Sequence, residues 1–341
     1  MTSNAKINEN TMSPERSTQL KNLLSQFTSH LYDYEQASLE QVSQRLFHPD
    51  VTCHVFNPFG HIDNITSYLQ EVIAPLYTAI PQAERRELIV MAGDAAQGTE
   101  WVGCCGAYSG TFKSSFLQIP PTNRMASIRF HEFFCFKDDQ IVEIQILWDL
   151  PELMLQAGVW PLSPSLGREW HVPGPARQDG LVHLPADGQR SLQIVGDMCA
   201  ALGNYATGGV EAMRLADYWH PKFSWYGPSG IGTAQGIEGF RRHHQIPFLN
   251  GLPDRVGDTN TGYLFAENNY VGFTAWPGMH MTVSGRGWLG IAPAGQKITM
   301  RSLDFWRCEN GKIRENWVLI DLIHVYEQLG VDVFARMEEL Q

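Results

Sequence analysis

The chain has 341 residues, and its 43% of apolar side chains can supply about two packed cores of roughly 150 residues each. Its formal net charge of −11 argues against a nucleic-acid surface, and no apolar run of about 18 residues predicts a membrane span. The six cysteines show no C-x-x-C spacing, and we expect neither a metal nor a cofactor. The sequence starts with polar residues and shows no signal segment, so we expect a cytoplasmic protein.

The predicted elements begin after a polar lead at residues 1–14, for which we expect disorder. Apolar residues at helical spacing predict a helix from Arg16, and a second short helix ends at His48-Pro49 because proline stops helices. A loop and a further helix precede four predicted strands, near residues 86–93, 99–112, 124–137 and 140–148. Asp149 is then predicted to cap a short helix from Leu150 to Ala157, with Glu152 completing a capping box.

The second half repeats this order 172 positions later. His220-Pro221 matches His48-Pro49, and residues 116–159 align with residues 288–331 without a gap. Strands are predicted near residues 256–265, 269–276, 279–291, 297–309 and 312–320, and the turn Asn310-Gly311 indicates a hairpin. Prolines and glycines at residues 161–190 are typical of a linker. The predicted organisation is therefore a lead (1–14), a first domain (15–160), the linker (161–190) and a second domain (191–341).

Five short segments connect the two halves to a known family. They are Ile119 to Arg124, Ile291 to Gln296, the tail Glu309 to Trp317, and the pair Gln156-Ala157-Gly158 and Gln328-Leu329-Gly330. Together they resemble the SnoaL-like polyketide cyclase family. The resemblance implies an α+β fold of the nuclear transport factor two-like kind, a curved sheet wrapped around helices to form a cone with an apolar pocket. Because such domains commonly dimerise through the outer face of the sheet, we expect an intramolecular pseudo-dimer, either monomeric or in a further homo-oligomer.

Strand alternation places one carboxylate of each half among mostly apolar side chains: Glu132 in the first half and Asp304 in the second. Desolvation there raises a carboxyl pKa and suits acid/base work, whereas hydrogen bonding to backbone or helix is the structural alternative. On the opposite strand face, Arg129 and Arg301 are predicted to form salt bridges at a domain–domain contact, to Glu143 or Glu315. The candidate catalytic residues are Asp304, Glu132, His244 and His280. The candidate substrate-binding residues are Tyr226, Trp276, Trp288, Ser302, Trp306, Asn316, Phe130, Phe134, Ile146 and Val318.

Both halves depart from the family at its catalytic positions. In the antibiotic cyclases of this family, the acid/base aspartate falls at Ile146 and Val318, and an assisting histidine falls at Glu132 and Asp304. Neither half keeps that pair, so ring closure by the family's known mechanism is not expected. The aromatic side chains near Asp304 favour the second half as the working copy and the first as chiefly structural.

The leading hypothesis is a SnoaL-like enzyme, such as a cyclase, isomerase or dehydratase, that acts on an apolar, polyketide-like carbonyl compound by acid/base catalysis. Asp304 would be the acid/base, assisted by Tyr226, His244 or His280. The alternative is a non-catalytic protein of the same fold that binds a small apolar ligand, and a third hypothesis is a pseudo-dimer that pairs with a partner protein. A carboxylate already saturated by an arginine would favour the binding hypothesis.

Overall fold

The computed structural model describes residues 12–257 and 262–341, apart from the side chains of residues 206 and 207. The first copy consists of α1 (Pro14–Tyr32), α2 (Gln36–Leu46), β1 (Phe47–Val55), β2 (Gly60–Ile62), α3 (Ile65–Tyr68), a π-helical turn (Leu69–Ile73), α4 (Ala74–Ala79), β3 (Glu84–Asp94), β4 (Glu100–Thr111), β5 (Met125–Lys137), β6 (Gln140–Trp148) and α5 (Leu150–Ala157).

The second copy repeats this order with additional short elements. It consists of α6 (Gly188–Leu202), α7 (Tyr205–Ala212), α8 (Leu215–Tyr218), β7 (Trp219–Tyr226), β8 (Thr233–Gln235), α9 (Gly236–Phe240), a π-helical turn (Arg241–Gln245), α10 (Ile246–Gly251), β9 (Val256–Gly257), β10 (Gly262–Glu267), β11 (Tyr270–Thr282), β12 (Lys297–Glu309), β13 (Lys312–Ile320), α11 (Leu322–Gln328) and α12 (Val333–Glu338).

The two sheets have the same topology. Their strand orders are β2-β1-β6-β5-β4-β3 and β8-β7-β13-β12-β11-β10, with β9 pairing β11. Only β1 with β6 and β7 with β13 run parallel among the described strand pairs. Glu132 lies opposite Ile146 and Asp304 opposite Val318. The fold is thus two tandem α+β domains with curved mixed sheets, as expected. We call the sheet face that carries Glu132 or Asp304 the inner face and the opposite one the outer face.

Local sequence signals explain several of these elements. Ser13 accepts a hydrogen bond from the backbone N–H of Arg16 and caps α1, whose buried residues recur at helical spacing. Asp149 and Asp321 cap α5 and α11 as predicted, by accepting hydrogen bonds from the third residue after each. The predicted capping box is wrong, because the carboxylate of Glu152 accepts the backbone N–H of Arg129 instead.

The two His-Pro pairs, however, do not stop helices. The helices end at Leu46 and Tyr218, and both pairs lie inside the following strands, β1 and β7. In each strand the register to its parallel neighbour is irregular just at the His-Pro pair. A proline fits there because a missing N–H costs no ladder hydrogen bond.

Three other predictions meet a different outcome. The strands predicted near 269–276 and 279–291 are one strand, β11, whose register shifts between Ala275 and Met279 where Pro277 interrupts the ladder. The strand predicted near 256–265 lies partly in residues 258–261, outside the described residues, and its described parts are β9 and β10. Of the predicted lead, residues 1–11 lie outside the described residues, and Pro14 already begins α1.

The outer faces of the two sheets pack against each other about a pseudo-twofold axis. Phe133 stacks on Phe305, its counterpart 172 positions later, with ring centroids 4.8 Å apart. His131 donates from Nδ1 to the carbonyl oxygen of Leu303 at 2.7 Å. Thr274 donates from Oγ1 to Oε1 of Gln145 at 2.5 Å. The expected intramolecular pseudo-dimer is therefore observed.

Arg–Asp pairs tie each copy to a loop of the other. Arg129 pairs with Asp149, which accepts the backbone N–H of Ser229 at 2.9 Å. Arg301 pairs with Asp321, which accepts the backbone N–H of Asn57 at 3.0 Å. The arginines do lie at the domain–domain contact, but the predicted partners Glu143 and Glu315 are wrong. Each aspartate is a helix cap as well, so α5 and α11 are positioned by the same groups that join the copies.

The segment between the copies runs along both sheets. Trp317 donates to the carbonyl oxygen of Pro173, Tyr270 donates to Asp179 at 2.6 Å, and Val90 donates its backbone N–H to Gly180. Within the described residues, no helix combines the length and the apolar character that crossing a membrane requires.

Candidate active site

Asp304 lies on the inner face of β12, and its side chain is buried with the residue 8% exposed. Its carboxyl group accepts a hydrogen bond from the hydroxyl of Ser302, at 2.5 Å. Burial raises the pKa of Asp304 to about 7, against the opposing effect of hydrogen bonds from Ser302 and Asn316. Among the described residues, no basic side chain lies within ion-pair distance of it. Asp304 can therefore exchange a proton near neutral pH.

Glu132, at the matching position of the first copy, is fully engaged. Its carboxylate accepts from Nη1 of Arg85 at 2.7 Å and from Nε1 of Trp148 at 2.9 Å. Arg85 also donates to the hydroxyl of Tyr108 and lies 4.0 Å from the ring centroid of Phe130. Glu132 and the side chain of Arg85 are each only 1% exposed. This network leaves both oxygens of Glu132 occupied.

The second copy lacks every partner that neutralises Glu132. Sheet register identifies the counterparts of Arg85, Tyr108 and Trp148 as Gly257, Met279 and Ile320. None of these three side chains carries a charge or a hydrogen-bond donor that could reach a carboxylate. The different states of the two carboxyl groups therefore follow from three substitutions within one duplicated framework.

The interior of the second copy also contains buried polar atoms that have no hydrogen-bond partner among the described residues. They are Nδ1 of His244, Oε1 of Gln245 and Nε1 of Trp219, Trp288 and Trp306. In the first copy the same positions are all apolar: Val72, Ile73, Phe47, Phe116 and Phe134. An unpartnered buried polar atom costs about 1–3 kcal/mol, so five of them in one domain indicate a site whose partner is a ligand.

His244 lies among aromatic rings and makes no hydrogen bond to Asp304. Its ring stacks on Trp225 with centroids 4.1 Å apart and contacts Phe240 and Phe248. Burial, and then the charge of Arg255, lower the pKa of His244 to about 3. The imidazole is consequently neutral, and its unpartnered Nδ1 can serve a ligand as donor or acceptor.

Three other predicted site residues lie away from Asp304. Tyr226 is on the outer face, where its hydroxyl donates to Glu315 at 3.2 Å. Trp276 lies at the contact between the copies, with the guanidinium of Arg301 4.3 Å from its ring centroid. His280 is exposed and pairs with Thr299, on the strand face opposite Asp304.

The remaining predicted residues lie on the inner faces, except Trp288, which is in the loop between β11 and β12. In the second copy, Ser302, Trp306, Asn316 and Val318 surround Asp304 on β12 and β13, and Trp288 packs on Phe248. In the first copy, Phe130, Phe134 and Ile146 are at most 1% exposed within the closed core.

Two residues of the site were not predicted from the sequence. Cys199 on α6 is exposed, yet desolvation and the charge of Asp304 raise the pKa of its thiol to about 12. The influence of Asp304 on this pKa places the thiol near that carboxyl group. Trp225 stacks on His244. Strand alternation along β7 could have indicated Trp225, since it is the neighbour of the outward-facing Tyr226.

A cleft of about 780 Å³ opens at the second copy, within the range usual for small-molecule sites. Its lining includes Trp288 and three arginines, Arg241, Arg242 and Arg286. Because Trp288 packs on Phe248 and Phe248 on His244, aromatic contacts lead from this cleft into the interior.

Comparison with known proteins identifies related sequences and folds. The sequence model of the SnoaL-like polyketide cyclase family matches residues 33–157 and 207–329. Similar solved structures include AclR, a proposed hydroxylase from Streptomyces galilaeus (16% identity, TM-score 0.36, 43% of this chain and 85% of that one). Another is a proposed SnoaL-like polyketide cyclase from Jannaschia sp. CCS1 (18%, 0.36, 43% and 95%). A third is wild-type IdmH, a proposed polyketide cyclase from Streptomyces antibioticus (16%, 0.34, 41% and 99%). No curated protein matches the chain.

Proposed function

We propose, since the chain belongs to the SnoaL-like polyketide cyclase family in both of its copies, that the second copy is a small-molecule enzyme and the first a structural partner. Asp304 is the acid/base, and the substrate is an apolar, polyketide-like carbonyl compound. The observation that carries this proposal is the contrast between the two buried carboxyl groups, because Glu132 is paired with Arg85 and Asp304 has no cationic partner within residues 12–257 and 262–341.

The chemistry follows from the protonation state of Asp304. With a pKa of about 7, its carboxylate can remove a proton from a carbon next to a carbonyl group and return it to another atom of the same molecule. The indole N–H groups of Trp306, Trp288 and Trp219 are donors without a partner in the described part of the chain. We assign them to the substrate's oxygen atoms, where such donors stabilise the negative charge that develops on an enolate.

Two observations favour the alternative of ligand binding without catalysis. Val318 stands where the cyclases of this family have an aspartate, and His244 does not contact Asp304 through a hydrogen bond. Neither removes a proton-accepting group from the interior of the second copy, since Asp304 itself supplies one. Proton exchange on a ketone therefore separates the two functions.

The test is deuterium incorporation into a panel of bicyclic and tricyclic aryl ketones, 2-tetralone among them, measured by mass spectrometry in D₂O. We expect the wild-type protein to accelerate exchange and Asp304→Asn to lose roughly 10²-fold or more of that acceleration. The rate should rise with pH through about 7, as Asp304 becomes the base. The matched control is Asp138→Asn. It introduces, in an exposed turn of the first copy, the asparagine that the second copy has at the matching position, Asn310.

Exchange that survives Asp304→Asn would show that Asp304 is not the base. Ketones that quench tryptophan fluorescence on binding but gain no deuterium would establish the binding alternative.

A further inference from the structure

The cleft beside Trp288 concentrates positive charge on an otherwise acidic protein. Arg241, Arg242 and Arg286 line it together with one acidic residue, Glu238. The chain as a whole has 36 acidic and 25 basic residues, so its overall field repels anions. Three arginines converging on one concave surface therefore create a local exception.

Of these three arginines, only Arg241 is held by an acidic side chain in the described part of the chain. Neither Arg242 nor Arg286 forms an ion pair or a side-chain hydrogen bond there. Arg241 donates to Glu211, whose side chain is 82% exposed, and to the carbonyl oxygen of Val210, while its Nε has no partner among the described residues. The guanidinium groups of Arg242 and Arg286, and Nε of Arg241, thus remain available to a ligand.

The duplication supplies an internal comparison for this cluster. The first copy has Leu69, Gln70 and Ser114 at the positions of Arg241, Arg242 and Arg286. At these three positions the charges are thus present only in the copy whose carboxyl group has no cationic partner among the described residues. Arginines that serve only as solvated surface charges are not expected at all three positions of one copy and at none of the matching positions of the other. Arginines that belong to a binding site of the second copy are expected to show this difference.

We propose that this cleft binds the anionic group, a carboxylate or a phosphate, of a ligand whose apolar ring system packs on Trp288. Guanidinium groups recognise both anions by paired, charge-assisted hydrogen bonds. The proposal deepens the proposed function, because it gives the carbonyl substrate an acidic end that stays in the cleft. Its test measures binding alone, so it can fail while the acid/base role of Asp304 stands, and the reverse.

The experiment titrates the full-length protein with 2-naphthoate, 2-naphthyl phosphate and the neutral methyl 2-naphthoate by isothermal calorimetry. We expect one of the anions to bind about tenfold more tightly than the neutral ester, and added salt to reduce the difference. The tighter anion identifies the carboxylate or the phosphate as the natural group. Asp304→Asn should keep the same preference, because Asp304 does not line the cleft.

Two double variants, each of which removes two positive charges, test where the anion binds. Arg242→Gln with Arg286→Ser introduces the first-copy residues and should abolish the preference for anions. Lys113→Ser with Arg124→Gln removes two exposed charges from the matching loop of the first copy and should preserve it. Equal loss in both variants, equal affinity for anion and ester, or no binding of any probe at millimolar concentration would overturn the proposal.

Discussion

Arg85 and Glu132 form the ion pair that distinguishes the first copy from the second, and replacing Arg85 with methionine breaks it. Both side chains are 1% exposed, and Nη1 lies 2.7 Å from Oε2. The variant would leave a buried carboxylate with only Trp148 and no cation. Removing one partner of a buried pair costs about 3–5 kcal/mol, far more than the pair itself contributes. We expect Arg85→Met to lower the free energy of unfolding at pH 8 by about that amount.

Urea denaturation of four proteins measures this cost: wild type, Arg85→Met, Glu132→Gln and the double variant. The double variant should be more stable than Arg85→Met by at least about 1 kcal/mol, because no charge is left buried without a partner. Arg86→Met is the control, since this neighbouring arginine is exposed and bonds to an exposed Glu84, and its change should stay below about 1 kcal/mol. Equal destabilisation by Arg85→Met and Arg86→Met would refute the reasoning.

Other variants test the remaining parts of the structure. The pKa of folded Asp304 is about 7 instead of 3.8, so the folded state holds this proton more tightly and loses up to about 4 kcal/mol of stability as pH rises from 4 to 8. Asp304→Asn should thus gain stability over wild type at pH 8 but not at pH 4, and an equal difference in urea at both pH values would contradict this. Asp149→Ala removes a helix cap, the partner of Arg129 and the acceptor for Ser229, and should cost about 3 kcal/mol in urea denaturation; a loss below about 1 kcal/mol would argue against this joint between the copies. Thr274→Val leaves a buried amide oxygen without its donor and should lower stability by about 1–3 kcal/mol by calorimetry, whereas Thr274→Ser should not.

The fold could be predicted largely from the duplication. The offset of 172 positions relates the two His-Pro pairs and aligns residues 116–159 with residues 288–331 without a gap, and strand alternation then assigns Ser302, Asp304 and Trp306 to one face. Alternation also assigns Trp276 to the outer face, because Ala275 lies opposite Ser302 on the inner face and the register shift before Met279 leaves this parity unchanged. Trp276 accordingly stacks on His54 of the other copy, so its assignment to the pocket was an error that alternation alone could have prevented.

The difference between the two carboxyl groups was beyond local sequence patterns. Arg85 on β3 contacts Glu132 on β5, which lies on the far side of β4 and 47 positions away in the chain. No local sequence motif therefore predicts the pair. The counterpart of Arg85, Gly257, lies on the short strand β9, whose pairing only the structure reveals. The sequence alone therefore identifies both carboxyl groups as candidates. Only the tertiary contacts distinguish Glu132, which is paired with Arg85, from Asp304, which has no cationic partner among the described residues.

The state of Asp304 can be measured directly by following its side-chain carboxyl carbon with ¹³C NMR across a pH titration, with Asp304→Asn to assign the signal. If the second copy holds a buried acid without a cation, the midpoint should lie at about pH 7. A midpoint below about pH 5, in the ordinary range of aspartate, would show that the carboxyl group is stabilised as an anion and would contradict its role as the acid/base.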